Sequence, residues 1–155
     1  MIPDLVDIGG PVPWSVLPPG MFDTTVPEIA QRFAITPHRR WLFDGLVRAV
    51  MAFEAAGCQR LYVDGSFVTA KPHPEDYDGC WEHDGIDFAL LDPVLLKFEN
   101  KREAQKLKYF GEMFPAQAEG AAGMTFLQLF QNEKYSGRPK GILRVDLAPK
   151  VRRSP

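Results

Sequence analysis

A mixed α/β domain, with a small sheet flanked by helices, is predicted by three observations. Two amphipathic stretches with legible helix starts lie between residues 25 and 57, short β-rich segments follow at 59–64, 76–82 and 141–147, and another capped apolar stretch begins at Asp92. The 155 residues suit one core and leave no room for a second. Hydrophobic residues at 45% and charged residues at 25% match an ordinary globular chain, and the net charge of −2 excludes a generally cationic nucleic-acid coat while leaving a local basic groove open. No apolar run approaches the roughly 20 residues of a membrane helix. With two cysteines, Cys58 and Cys80, and no apolar signal segment at the start, a cytoplasmic protein is expected rather than a secreted disulfide scaffold. CxxC and HExxH are absent, as are GxGxxG and the P-loop pattern, which argues against common zinc sites and simple Rossmann or P-loop readings.

The elements follow in order. Seven of the fourteen prolines fall within the first 37 residues, so residues 1–23 read as an irregular arm that wraps the domain or meets a partner. Residues 24–150 form the main domain, and 151–155 a basic tail. Thr25-Val-Pro-Glu28 is a capping box that opens a short helix to about Ile35. Thr36-Pro37 starts a second helix, in which Leu42, Leu46, Ala49, Val50 and Phe53 recur at helical spacing before Gly57 stops it. Gln59–Asp64 alternates like a strand and is broken by Gly65-Ser66. A loop through Lys71-Pro-His-Pro-Glu75 leads to a second strand, Asp76–Glu82. Asp92-Pro93 caps a helix running through Leu95, Leu96 and Phe98 toward Lys108. Met113-Phe114 is a short apolar segment, while Met124–Gln131 fits helix and strand equally. Ser136-Gly-Arg-Pro139 reads as a turn before a last strand, Gly141–Leu147.

Charge is segregated. Seven carboxylates and no Lys or Arg lie between Glu75 and Asp92, whereas seven bases face one acid, Asp146, between Lys134 and Arg153. Either run alone is ordinarily a solvated face. Together they suggest carboxylates for a divalent cation and bases for the phosphates that the cation also touches. Asp76 and Asp78, at i and i+2 on a strand, leave the same face and repel each other unless a positive charge sits between them. Oxygen ligands of this kind suit magnesium. Gly65-Ser66, ending a strand sharply, offers backbone N–H groups and a hydroxyl to phosphate oxygens. Lys140, in Gly-Arg-Pro-Lys-Gly, is a candidate triphosphate contact. His73 and His83 read as solvated, Cys58 and Cys80 as buried, and Trp81, Phe126 and Phe130 as core before base-stacking platforms.

Strand, Gly-Ser, nine residues, Asp-x-Asp is far more specific than either half. Leu61–Phe67 followed by Asp76-Tyr77-Asp78 resembles the nucleotidyltransferase superfamily that shares its palm with DNA polymerase β. The direct match covers about twenty residues, and the helices before and after fit the same minimal fold. Asp64 and Gly79 depart from the pattern, each standing where a hydrophobic residue is usual. A longer likeness, through Asp76–Glu82, Gly123–Phe130 and Pro139–Leu143, is to stand-alone bacterial and phage proteins of similar length, grouped with that superfamily and without a settled activity. The resemblance implies metal-dependent transfer of a nucleoside monophosphate from a nucleoside triphosphate, ATP among them, to an acceptor hydroxyl on RNA or protein. It implies two Mg2+ ions, or Mn2+, held by Asp76 and Asp78, with Gly65 and Ser66 on the phosphates. It further calls for a third carboxylate on a later strand, for which Glu112 has the better chain position and Asp146 the cleaner alternation; Glu112 is favoured, although Gly111 and Pro115 suit a central strand poorly. A cognate partner protein, as in toxin–antitoxin or defence modules, is a further implication, and a membrane is not. The alternative from another class is a catalytically degenerate binding protein of this fold that recognises a protein or nucleic acid, to which Asp64 and Gly79 point.

Overall fold

The structure, a computed structural model, is described over residues 1–149; the basic tail expected at 151–155 lies outside the described residues. A five-stranded mixed sheet has helices packed on one face, which is the α/β class expected. In chain order the elements are β1 (Met21–Thr24), α1 (Val26–Phe33), α2 (Pro37–Ala55), β2 (Arg60–Asp64), β3 (Tyr77–Trp81), α3 (Glu99–Tyr109), β4 (Gly111–Pro115), β5 (Glu119–Ala121), β6 (Met124–Thr125), α4 (Phe126–Leu129) and β7 (Ile142–Asp146). The large sheet runs β1-β7-β2-β3-β4, with β1–β7 and β3–β4 parallel and the two central pairings antiparallel; β5 and β6 form a separate two-stranded piece.

Both early helices begin as their sequences dictate. Thr25 accepts from Glu28 N–H at 3.3 Å and Thr36 from Arg39 N–H at 3.1 Å, so each hydroxyl satisfies one of the donors that a helix start leaves unpaired. Ile29, Phe33, Leu42, Leu46, Ala49 and Phe53 form the buried stripe of α1 and α2. They meet Leu61 and Val63 of β2, Tyr77 and Trp81 of β3, Met113 of β4, and Leu143 and Val145 of β7. The alternate residues Tyr62, Cys80 and Ile142 point to the opposite face, where a smaller cluster includes Phe126, Leu127 and Phe130. That parity sends Asp64, Asp78 and Glu112 to the second face as well.

Two expectations are corrected and two open readings are resolved. The arm is irregular only to Gly20: it ends in β1 at the sheet edge and buries Ile2, Val12, Val16 and Leu17, so apolar burial holds it to the domain. The helix expected after Asp92 is interrupted. Asp92 does cap, accepting from Val94 N–H at 3.1 Å, but only a single 3-10 turn, Pro93–Leu96, follows. The first turn of α3 is then distorted by three successive left-handed residues, Asn100, Lys101 and Arg102 (φ 52–60°). Met124–Gln131 divides between strand and helix at Thr125, whose hydroxyl and Gln128 form a reciprocal capping box. Finally, Gly111–Pro115 is a strand after all, because β4 is an edge strand, where a glycine and a terminal proline disturb little pairing.

Two glycines are required by close approach. A Cβ on Gly79 would lie 2.7 Å from both Met113 Sδ and Tyr62 O, so only glycine fits at this point of β3. On α2, a Cβ on Gly45 would lie 2.1 Å from Tyr109 O at the end of α3 and 2.8 Å from the Phe110 ring. Gly45→Ala must therefore push α2 and α3 apart. A loss of about 3 kcal/mol in urea unfolding is expected, the upper end for overpacking; an unchanged midpoint would show that the two helices are not in this contact.

Candidate metal centre and the adjoining cleft

Cross-strand register builds the site. Asp64 on β2 pairs with Asp78 on β3, and Asp78 pairs with Glu112 on β4, so three carboxylates form one row across three adjacent strands on the same face. Like charges opposite one another destabilise a sheet unless each finds a counter-charge. The two ends of the row have one. The Lys140 ammonium ion-pairs with Asp64 and donates to Phe130 O at 2.8 Å, both partners being nearly buried. Glu112 Oε1 accepts from Arg102 Nε at 3.0 Å and Nη2 at 2.8 Å, and Lys106 Nζ lies 3.2 Å away. The left-handed turn at the start of α3 delivers that guanidinium, which also lies 5.4 Å from the centre of the Phe114 ring. Left-handed residues cost about 1–2 kcal/mol each, and here the cost falls beside the acidic row.

The middle of the row has no such partner. Asp78 Oδ1 is sealed from solvent and meets no hydrogen-bond donor among the described residues. Asp76, one residue before β3, joins the row: Asp76, Asp78 and Glu112 each present a carboxylate oxygen, all within 4.8 Å of one another. Burial raises the pKa of Asp78 well above the usual carboxylate range, helped by a hydrogen bond with Glu112 and by the charges of Asp76, Glu112 and Asp64. Burial also raises Asp76, with the Glu112 charge adding to it. For Glu112 burial pushes upward too, but the hydrogen bonds from Asp78, Arg102 and Lys106 outweigh it and leave its pKa lowered. An orphaned, dry carboxylate oxygen among three converging carboxylates is a donor set that fits a hard divalent cation.

Beside the row opens a cleft of about 500 Å3, within the usual range for small-molecule sites. Asp64, Gly65, Ser66, Asp76 and Asp78 line it from the sheet. Trp14 and Val16 of the arm, Thr69 and Lys71 of the loop after β2, and Lys134 and Tyr135 beyond α4 line it elsewhere. Gly65 takes φ +84°, turning the chain sharply out of β2; a side chain there would lie 2.8 Å from Asp78 Oδ2. Ser66 starts a 3-10 turn closed by Thr69, whose hydroxyl donates to Ser66 O at 2.7 Å. The loop is anchored from behind by Arg39, whose guanidinium donates to the carbonyls of Phe67, Thr69 and Lys71 at 2.6–2.8 Å.

The structure thus brings Gly65, Ser66, Asp76, Asp78 and Glu112 together. It leaves Asp146 out: exposed at the end of β7, Asp146 accepts from Arg60 Nε at 2.8 Å and is absent from the carboxylate group. Lys140 lines the cleft, but its ammonium is turned onto Asp64, so the expected free phosphate contact is corrected to a buried counter-ion. Sequence reasoning missed Asp64 as a member of the row, and it missed Trp14, Lys71, Lys134 and Tyr135 in the cleft. A carboxylate closing an apolar strand just before Gly-Ser was a signal for Asp64, whereas nothing local marked the others. Of the histidines, His83 contacts Gln117 and Asp84 near the surface, while His73 stacks on His38 with ring centres 3.8 Å apart.

The chain belongs to a family of unknown function, DUF6932, whose profile matches residues 13–146. No curated protein and no solved structure matches it.

The raised pKa of Asp78 has a consequence for stability. The folded state holds the Asp78 proton more tightly than the unfolded chain, so this group's contribution is full below about pH 4 and is lost as pH rises through the folded value. Glu112, lowered, acts in the opposite sense, its contribution being lost as pH falls. Asn at position 78 mimics the protonated acid. Metal-free Asp78→Asn should therefore match the parent near pH 4 and become the more thermostable protein by pH 7.5, whereas added Mg2+ should raise the Tm of the parent alone. A parent more stable than the variant at pH 7.5 without metal would contradict the buried, unpartnered carboxylate.

Proposed function

We propose that this protein is a metal-dependent nucleotidyltransferase that moves a nucleoside monophosphate from a nucleoside triphosphate to an acceptor hydroxyl. The observation that carries the proposal is the convergence of Asp76, Asp78 and Glu112 beside a Gly-Ser turn, with Asp78 Oδ1 dry and without a partner among the described residues. Those three carboxylates would hold Mg2+ or Mn2+. Bound there, the metal would neutralise triphosphate charge and lower the pKa of the attacking hydroxyl.

The chain's own residues supply the rest. Gly65 and Ser66 sit where phosphate oxygens can approach backbone and hydroxyl, and Lys71 and Lys134 bring cations to the same cleft. In the transfer, the acceptor oxygen forms a bond to the α-phosphorus, the bond from that phosphorus to the pyrophosphate oxygen breaks, pyrophosphate leaves, and the hydroxyl proton passes to solvent. Glu112 is not among the residues lining the cleft, so the triphosphate would meet the row at Asp76 and Asp78 and the acceptor would approach from the Glu112 side.

One observation favours a second reading. Glu112 is already engaged by Arg102 and Lys106, and Asp64 by Lys140, as in a site stabilised without metal. This supports a non-catalytic protein of the same fold that recognises a partner protein or nucleic acid. Calorimetry with Mg2+ and each triphosphate separates the two, because metal-dependent nucleotide binding is required by the first reading alone.

With labelled triphosphate and cell extract, transfer of label to a macromolecule should fall at least about a hundredfold in Asp76→Asn/Asp78→Asn, the order expected when directly involved groups are lost. Full labelling by the purified double variant would end the transferase reading. Ser66→Ala should weaken triphosphate binding by about 1–2 kcal/mol, as for a lost hydrogen bond to a charged group; unaltered binding would reduce the Gly-Ser to a turn.

A further inference from the structure

The lining of the cleft divides by chemistry. One part is polar and carries the groups already assigned to metal and phosphate: Gly65, Ser66, Lys71, Asp76 and Asp78. The other part comes from one short stretch at the end of α4 and just beyond it, where Leu129 and Phe130 present carbon, Asn132 an amide and Tyr135 a phenol ring. A single side chain joins the two parts. The Lys140 ammonium ion-pairs with Asp64, the register partner of Asp78, and also donates to Phe130 O at 2.8 Å.

Tyr135 is displayed at the cleft rather than packed away. It is 60% exposed and makes no ring–ring contact among the described residues, and the one cation beside it, the Lys134 ammonium 5.7 Å from the ring centre, leaves a face open. Its backbone is fixed nonetheless. The buried Glu133 carboxylate accepts from Tyr135 N–H at 2.8 Å and from Ser136 N–H at 2.6 Å, while Lys140 N–H donates to Gln131 O at 2.9 Å. Asn132 is oriented as well: Nδ2 donates to Gln128 O at 3.1 Å, and Oδ1 accepts nothing among the described residues. The other ring on the cleft, Trp14, belongs with the polar part. Its neighbour is the Lys71 ammonium, 5.1 Å from the ring centre, on the loop that Arg39 holds.

We infer that residues 129–135 form the nucleobase subsite, with Tyr135 stacking on the base, an inference that rests on the transferase reading of the cleft. A nucleoside triphosphate is chemically divided in the same way as the lining. Its phosphates need cations and N–H or O–H donors, whereas its base is flat and needs a π face, an apolar floor and hydrogen bonds at its edge. Both needs are met in one orientation, with the phosphates at Gly65-Ser66 and the base against the stretch beyond α4. The free Asn132 Oδ1 takes an N–H from the edge of that base.

The test is calorimetry of the full chain with Mg2+ and, in turn, ATP, GTP, CTP, UTP and inorganic tripolyphosphate, which has the three phosphates without a nucleoside. The parent should bind at least one nucleotide more tightly than tripolyphosphate. In Tyr135→Ala that nucleotide should weaken at least about fivefold, the order of a lost base–ring stack, with tripolyphosphate unchanged, and Tyr135→Phe should restore the affinity because a ring is present again. Ser66→Ala, on the polar part, should weaken nucleotide and tripolyphosphate alike. Circular dichroism melting checks that each variant is folded. A parent that binds neither nucleotide nor tripolyphosphate would refute the transferase reading itself. A parent that binds tripolyphosphate as tightly as every nucleotide, or a folded Tyr135→Ala that keeps full nucleotide affinity, would overturn the base subsite alone. Loss of the nucleotide preference in Trp14→Ala but not in Tyr135→Ala would likewise overturn it, placing the base on the arm.

Discussion

The structure depends on placing three carboxylates in one row across β2, β3 and β4. Register puts Asp64 beside Asp78 and Asp78 beside Glu112, on a face where Tyr62, Cys80 and Ile142 are already buried. Three adjacent negative charges in such surroundings cannot all remain ionised without compensation. Two are compensated by cations, Lys140 from a distant part of the chain to Asp64, and Arg102 with Lys106 from the helix just before β4 to Glu112. The third, Asp78, keeps a dry oxygen with no donor among the described residues, and burial raises its pKa.

Much of the architecture follows from supplying that compensation. The Lys140 ammonium spans from Asp64 to Phe130 O and so ties the segment after α4 to the sheet, which makes that segment one wall of the cleft. At the other end, the chain passes through left-handed residues at 100–102 and sets Arg102 between Glu112 and the Phe114 ring. The same unusual backbone explains why the long helix suggested by Leu95, Leu96 and Phe98 does not form. Gly79 and Gly65 serve the row more locally: one lets β3 lie close to Met113, and the other lets the chain turn away beside Asp78 without a side chain in the carboxylate's space.

On the Asp76 and Asp78 side lies a cleft walled by the arm and by the segment beyond α4, with Lys71 5.1 Å from the centre of the Trp14 ring at its edge.

The sequence by itself determined the elements whose signals are local. Thr25 and Thr36 marked helix starts, the alternation of Leu61, Val63, Tyr77 and Trp81 marked buried strand faces, and Asp76 and Asp78 two residues apart marked a shared acidic face. The tertiary structure decided what depends on pairing between distant strands. Glu112 and Asp146 were nearly equal candidates because one strand says nothing about its neighbour. The sheet order puts β4 parallel to β3, which brings Glu112 opposite Asp78, and puts β7 beyond β2, where Asp146 meets Arg60. Lys140 read as a free phosphate contact for the same reason: its partner, Asp64, lies 76 residues away, and only the folded chain shows that the two neutralise each other. Residue type and spacing are sufficient where a backbone period sets direction, but counter-charge and register are properties of contacts that the chain order does not contain.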